Sequence, residues 1–296
     1  MEINNDRKEK EDNQNEEDGD YEFVKLFFVL SSSDRLKILL KMGKDKEKEK
    51  LRLTHLAEKI NATIQEATRH INRLVDAKLI ERNPHGFYTL TTFGRIVMIL
   101  LPSFSFISKN TTRDYLLSHD ISFLPREFIE RIGELSIYNY SANVSSILRH
   151  TEQVISSASD YVWLLADRAL ITGTTIVKAV ANLDLSIRIV ISKSSFNLQE
   201  YHNTKETLRD RLELRLLPDE NVRIAMAMNE EITGIIFPDL RGKIDIDSGF
   251  TSDDGEGGNS DFHKWCSDLF TFYWNRSDNV SVAYSSSSSS NLAKKF

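Results

Sequence analysis

A Thr-x-x-Glu pair, Thr63 and Glu66, stands directly ahead of a run of apolar residues at helical spacing. A threonine hydroxyl in this position accepts from the N–H three residues on, while the glutamate reaches back to the threonine N–H. The start of a helix is thereby fixed at one residue. Within that helix Ile64, Ala67, Ile71, Leu74 and Val75 form one inward stripe, about 100° wide at 100° per residue. A shorter helix with Leu56, Ala57 and Ile60 on its inner side precedes it, separated by a three-residue break. After it, Leu79-Ile80-Glu81-Arg82 reads as a strand, Asn83-Pro84-His85-Gly86 as a turn and Phe87-Tyr88-Thr89-Leu90 as the returning strand. Thr91 or Thr92 is then placed to cap a further helix. Two helices across a tight break, followed by a small hairpin, constitute a winged helix-turn-helix.

The outer face of the second helix offers Gln65, Thr68, Arg69, Asn72 and Arg73. Arginine bonds guanine N7 and O6 in a bidentate fashion, and Gln or Asn does the same with adenine. Gln65 and Arg69, in the N-terminal half, are expected at base edges, and Arg73 at phosphate. Arg82 and His85 of the hairpin are expected along the backbone or minor groove of double-stranded DNA. His55 and His70 read as ordinary surface histidines. The formal charge of the chain is −6, but residues 1–22 carry −7 of it and residues 34–95 carry +6. Screening confines surface fields to about 8 Å at cellular salt, so the local excess outweighs the total.

The remainder of the chain has a different texture. Residues 1–20 are almost without apolar content and read as an acidic disordered tail. Tyr21–Leu30 is apolar, Ser33 is placed to cap a helix carrying Leu36, Leu39 and Leu40, and Gly43 is placed to end it. The charged stretch Lys44–Lys50 reads as a solvated loop. From about 113 short β-branched runs alternate with helical stretches. The strands expected are Tyr161–Ala166, Leu185–Ile191, Leu212–Leu217, Val222–Met228 and Ile232–Phe237, the last two closing a hairpin around Asn229-Glu230. Helices are expected at 125–135, 143–158, 171–182, 203–211 and 260–275. Such alternation indicates an α/β domain with a mixed, largely parallel sheet. The domain reading is 21–112 for the winged helix-turn-helix and 113–278 for an α/β regulatory domain. A Ser-rich tail covers 279–296. Phe262, Trp265, Cys266, Leu269, Phe270 and Tyr273 fall on one helix face and read as core.

Leu79-Ile80-Glu81-Arg82 followed by Tyr88-Thr89-Leu90-Thr91-Thr92-Phe93-Gly94 resembles the wing and its exit in ArsR-like and MarR-like winged-helix repressors. The segments Leu124–Leu135 and Phe262–Trp274 resemble the effector domain of archaeal regulators of the methanogenesis-regulatory-protein family. That resemblance implies a phospholipase-D-like, non-catalytic α/β fold similar to the sensor part of TrmB-like regulators. Phospholipase-D chemistry needs His-x-Lys, which is absent, His263-Lys264 being adjacent. Gly-x-Gly-x-x-Gly, Gly-x-Ser-x-Gly, His-Glu-x-x-His and a P-loop are absent too. The expectation is therefore a transcriptional regulator that is not an enzyme and uses no cofactor or metal.

Asp167 and Arg168, directly after the Tyr161–Ala166 strand, are candidates for binding a small-molecule effector, because open α/β sheets place ligands beyond strand carboxyl ends. One cysteine, Cys266, excludes an internal disulfide and reads as a buried packing thiol. The apolar stretch Ile96–Ile107 contains Pro102 and is shorter than the roughly 20 residues a bilayer span needs. A cytoplasmic homodimer is expected, with Ile96–Ile107 and Tyr21–Leu30 as candidate dimer surfaces. The alternatives are a winged helix that binds protein, or an enzyme with an unrecognised site in the α/β domain.

Overall fold

The computed structural model describes residues 20–44, 51–136, 139–166, 185–218, 221–252 and 260–280. The helix expected at 171–182, the candidates Asp167 and Arg168, and most of both tails lie outside them. The chain divides into two compact units between Leu101 and Pro102, where the sequence reading put the boundary after residue 112. No change of composition marks the division, because it falls inside a helix.

The first unit opens with a helix over 20–30 (α1) and continues with α2 (Ser33–Lys44), α3 (Leu53–Ile60) and α4 (Ile64–Asp76). Ser32, not Ser33, begins α2: its carbonyl accepts from Leu36 N–H at 2.9 Å and its hydroxyl from Arg35 N–H at 3.5 Å. The Arg35 guanidinium donates back to the Val29 and Phe28 carbonyls at the end of α1. Strands β1 (Ile80–Arg82) and β2 (Tyr88–Leu90) pair antiparallel, with Arg82 opposite Tyr88. Leu51 adds a bridge to Tyr88. Helix α5 (Thr92–Ser108) follows at once, and Thr91 caps it, its hydroxyl accepting from Gly94 N–H at 2.9 Å. Leu39, Leu56, Ala67, Ile71, Leu74 and Leu79 make the fully buried centre of the unit.

The second unit comprises α6 (Asn110–Leu116), α7 (Arg126–Glu130), β3 (Asn139–Ser141), α8 (Val144–Ser156), β4 (Tyr161–Ala166), β5 (Ser186–Ser192), α9 (Leu198–Leu208), β6 (Leu212–Leu217), β7 (Ala225–Met228), β8 (Thr233–Ile236), β9 (Gly249–Ser252), α10 (Asp261–Arg276) and β10 (Asp278–Asn279). Among the described residues its sheet is eight-stranded, in the order β10-β6-β5-β4-β7-β8-β9-β3. The expected mixed α/β sheet is present. Its parallel part is β4, β5 and β6, and the other pairings are antiparallel. The expected hairpin joins β7 to β8. At its turn Asn229 accepts from the N–H groups of Glu231 and Ile232, and its amide reaches the Val154 carbonyl.

Alternate residues of β4 serve opposite faces, as strand pleating requires. Tyr161, Trp163 and Leu165 join the core built on α10, whereas Val162 and Leu164 pack with Val154 and Ile155 of α8 and Leu208 of α9. The α10 stripe is buried as expected, including Cys266, whose thiol burial pushes well above its ordinary pKa. A clasp on this unit ties Asp245 to His119 Nε2 at 2.9 Å and to the Ser248 hydroxyl at 2.7 Å. The Tyr115 ring stacks on His119 at 3.6 Å.

Candidate nucleic-acid interface

Helix α3 ends because Asn61 takes the left-handed conformation, φ 54° and ψ 45°. Asn is among the few residues that adopt it without large strain. The chain then turns back and α4 starts on the expected capping box. The Thr63 hydroxyl accepts from Glu66 N–H, and the Glu66 carboxylate accepts from Thr63 N–H at 3.0 Å. The Thr63 N–H and then the Thr63 hydroxyl, which also donates to the carboxylate at 2.9 Å, hold the Glu66 carboxyl below its ordinary pKa.

Ala67, Ile71 and Leu74 are buried against the unit's core and Val75 is half-buried. Ile64 departs from expectation: it is 48% exposed. It occupies the first helical position, and the buried residues of α4 span only about 60° at 100° per residue, so the inward stripe is narrower than the periodicity suggested. The open end of α4 therefore presents an apolar side chain beside Gln65.

Gln65, Arg69, Asn72 and Arg73 are all exposed on α4. The side chains of Gln65 and Asn72 make no hydrogen bond among the described residues. Thr68 is half-buried and its hydroxyl donates to the Ile64 carbonyl at 2.7 Å, so that group is spent within the helix. His70 is half-buried 3.7 Å from Asp34, rather than lying free on the surface.

The wing turn is organised by Asn83, whose Oδ1 accepts from the N–H groups of both His85 and Phe87 at 3.0 Å. Gly86 has φ 81°, a conformation that favours glycine. His85 and Arg82 are exposed, and the Arg82 guanidinium lies 5.8 Å from the Tyr88 ring centroid on the partner strand. Arg52, which the sequence reading passed over, lies 5.0 Å from the Phe87 ring and adds a second exposed cation beside the wing. Its signal was a basic residue immediately before α3, too common to stand out.

The close approach of wing and α5 rests on Gly94. A Cβ there would lie 2.0 Å from the Leu79 carbonyl oxygen. Thr91 N–H donates to that same oxygen and the Thr91 hydroxyl to the Lys78 carbonyl. The unit thus combines a capped, solvent-facing polar helix with a cation-bearing hairpin.

No family model and no curated protein matches this chain. Solved structures similar to it include TrmBL2, an archaeal chromatin protein described with a novel mode of DNA binding, at 15% identity, 78% of this chain, 88% of that chain and a TM-score of 0.38. They also include the riboflavin-analogue dimethyltransferase RosA of Streptomyces davawensis, at 10% identity, 67% of this chain, 65% of that one and a TM-score of 0.26. The pyocyanin biosynthetic protein PhzM matches at 12% identity, 68% of this chain, 66% of that one and a TM-score of 0.28. Several further matches are O-methyltransferases. With methyltransferases recurring among the matches, the expectation that the chain is not an enzyme is withdrawn, and no activity is put in its place. At TM-scores of 0.38 and below none of these likenesses carries a fold or an activity to this chain.

Proposed function

We propose that the chain is a sequence-specific, DNA-binding transcriptional regulator that lays α4 in the major groove of double-stranded DNA. The observation that carries this reading is the exposed row Gln65, Arg69, Asn72 and Arg73 on a box-capped helix, flanked by a wing that presents Arg82 and His85. Gln65 and Arg69 read base edges. Ile64 contacts a thymine methyl, a role open to an exposed apolar side chain at this end of the helix. Asn72, Arg73, Arg82 and His85 hold the backbone and fix register. Thr68 contributes its methyl group, its hydroxyl being engaged.

The regulator acts as a homodimer through α5. Ile96, Ile99, Leu100, Phe104 and Ile107 are all exposed on that helix, Ile99 at 75%. At 100° per residue they form a single apolar stripe. Such a face suits a second copy of itself, since a two-fold interface pairs identical patches, and paired heads match a palindromic site. The α/β unit serves assembly or senses a small molecule, for which Asp167 and Arg168 remain candidates.

The test is retention of duplexes from the chain's own upstream region against random duplex, across a salt series. Specific retention weakened by Arg69→Ala supports the reading. Equal weak binding to every duplex, unchanged by Arg69→Ala, refutes it and favours a protein-binding winged helix.

A further inference from the structure

Beyond the carboxyl end of β6, whose last residue is Leu217, the second unit holds an open pocket of about 590 Å³. Its walls include Phe123, Asn221, Arg223, Phe272, Tyr273 and Arg276. β6 runs parallel to β5 and β4, so the pocket sits where parallel strands leave room for a ligand. Its volume is in the range of small-molecule sites.

The polar groups here are placed but unspent. The Arg223 guanidinium lies 5.5 Å from the Phe123 ring centroid and that of Arg276 lies 3.5 Å from the Phe272 centroid. Stacking on a ring leaves the edge of the guanidinium fork available for an oxyanion. Neither arginine forms an ion pair among the described residues. Asp120, which feels the Arg223 charge, is instead engaged by the N–H and hydroxyl of Ser122. Tyr273 is only 6% exposed, yet its hydroxyl has no hydrogen-bond partner among the described residues. The hydroxyl oxygen keeps some solvent access, so it is open to a ligand entering the pocket. Burial pushes that phenol up to about 12, so at neutral pH it is a donor.

We propose that this pocket binds a small organic anion, a carboxylate or phosphate on a planar apolar body. Arg223 and Arg276 hold the oxyanion, the Tyr273 hydroxyl donates to it, and Phe123 and Phe272 flank the apolar part. The proposal is independent of DNA binding and is tested without DNA.

The experiment is calorimetric titration of the full chain with phenyl phosphate, benzoate, inorganic phosphate and benzyl alcohol. The expected result is saturable binding of at least one aromatic anion, at least tenfold tighter than of inorganic phosphate or of the neutral alcohol. The double variant Arg223→Gln/Arg276→Gln should lose at least tenfold in affinity, with an unchanged unfolding transition because both residues are exposed. Tyr273→Phe, which keeps the ring, should lose several-fold. Absence of binding by either aromatic anion overturns the proposal. So does equal affinity in the double variant, or equal affinity for benzyl alcohol.

Discussion

Two glycines lie within helices of the first unit, and the structure gives their replacement by alanine opposite signs. Helix propensity taken by itself favours both Gly43→Ala and Gly94→Ala by up to about 1 kcal/mol. At Gly43 the added methyl meets only Met98, its Cε at 2.8 Å and its Cγ at an ordinary 3.8 Å, and the close contact is the far end of a flexible side chain that can swing aside. At Gly94 it meets the Leu79 carbonyl oxygen at 2.0 Å and the Leu79 carbonyl carbon at 2.9 Å, both backbone atoms. Restoring an ordinary 3.4 Å contact moves α5 off the wing by about 1.4 Å. The Thr91 bonds to Lys78 and Leu79 resist that movement.

Overpacking of this kind costs about 1–3 kcal/mol, and loosening the Thr91 cap about 1 more. Set against the propensity gain, Gly94→Ala should lose about 1–3 kcal/mol. In a unit of this size that lowers the midpoint by roughly 5–20 °C. Gly43→Ala should be neutral or stabilising. All three tryptophans, Trp163, Trp265 and Trp274, lie in the second unit. Tryptophan fluorescence therefore follows that unit, and circular dichroism follows both. The loss in Gly94→Ala should appear in the dichroism transition. A Gly94→Ala variant within about 0.5 kcal/mol of the parent, a size typical of surface substitutions, would refute the reasoning.

Thr63→Ala removes one half of the capping box and should cost about 1 kcal/mol by urea titration, with little further loss on adding Glu66→Gln. Arg69→Ala should weaken binding to the preferred duplex by about 1–3 kcal/mol and relax sequence preference. Arg73→Ala should instead weaken all duplexes alike and reduce the slope of log affinity against log salt by about 1, as read by fluorescence anisotropy. Burial raises the Asp245 carboxyl, but bonds from Ser248, the Asp247 N–H and His119 outweigh it and hold the group below its ordinary value. Its stabilisation is thus whole above about pH 4 and is lost as pH falls through the lower folded value. Asp245→Asn should be less stable than the parent at pH 7 and converge with it in acid, as urea titrations at the two pH values would reveal. Cys266, fully buried, should resist a thiol-reactive disulfide reagent until the second unit unfolds.

Local signals were legible and distant ones were not. The capping box, the three-residue break before it and the Asn83 wing turn are each encoded within four residues, and the sequence carries them openly. Ile64 was misread because periodicity describes a whole helix, whereas burial at its first turn depends on what packs there. The strands Asn139–Ser141, Gly249–Ser252 and Asp278–Asn279 escaped notice because each has two to four residues, too few to show alternation. The share of parallel pairing was harder to read than the strands themselves. Strand direction depends on the connection, and only the short Asn229 link announces its hairpin. The pocket residues Phe123, Arg223, Tyr273 and Arg276 are scattered along the sequence and meet only through the tertiary fold.

The order of the sheet bears on how such a chain behaves when crowded. Among the described residues its outermost strands, β3 and β10, have three and two residues. The hydrophobic strands β4 and β5 are paired on both sides, whereas β6 is covered on its outer side by β10 only at Arg215 and Leu216. An incoming strand would find the three residues of β3 at one border and, at the other, two residues of β10 beside the short uncovered start of β6, and cross-β growth needs more continuous template than that. Self-association is thereby steered away from backbone pairing and towards side-chain faces, where a single charged substitution can switch it off.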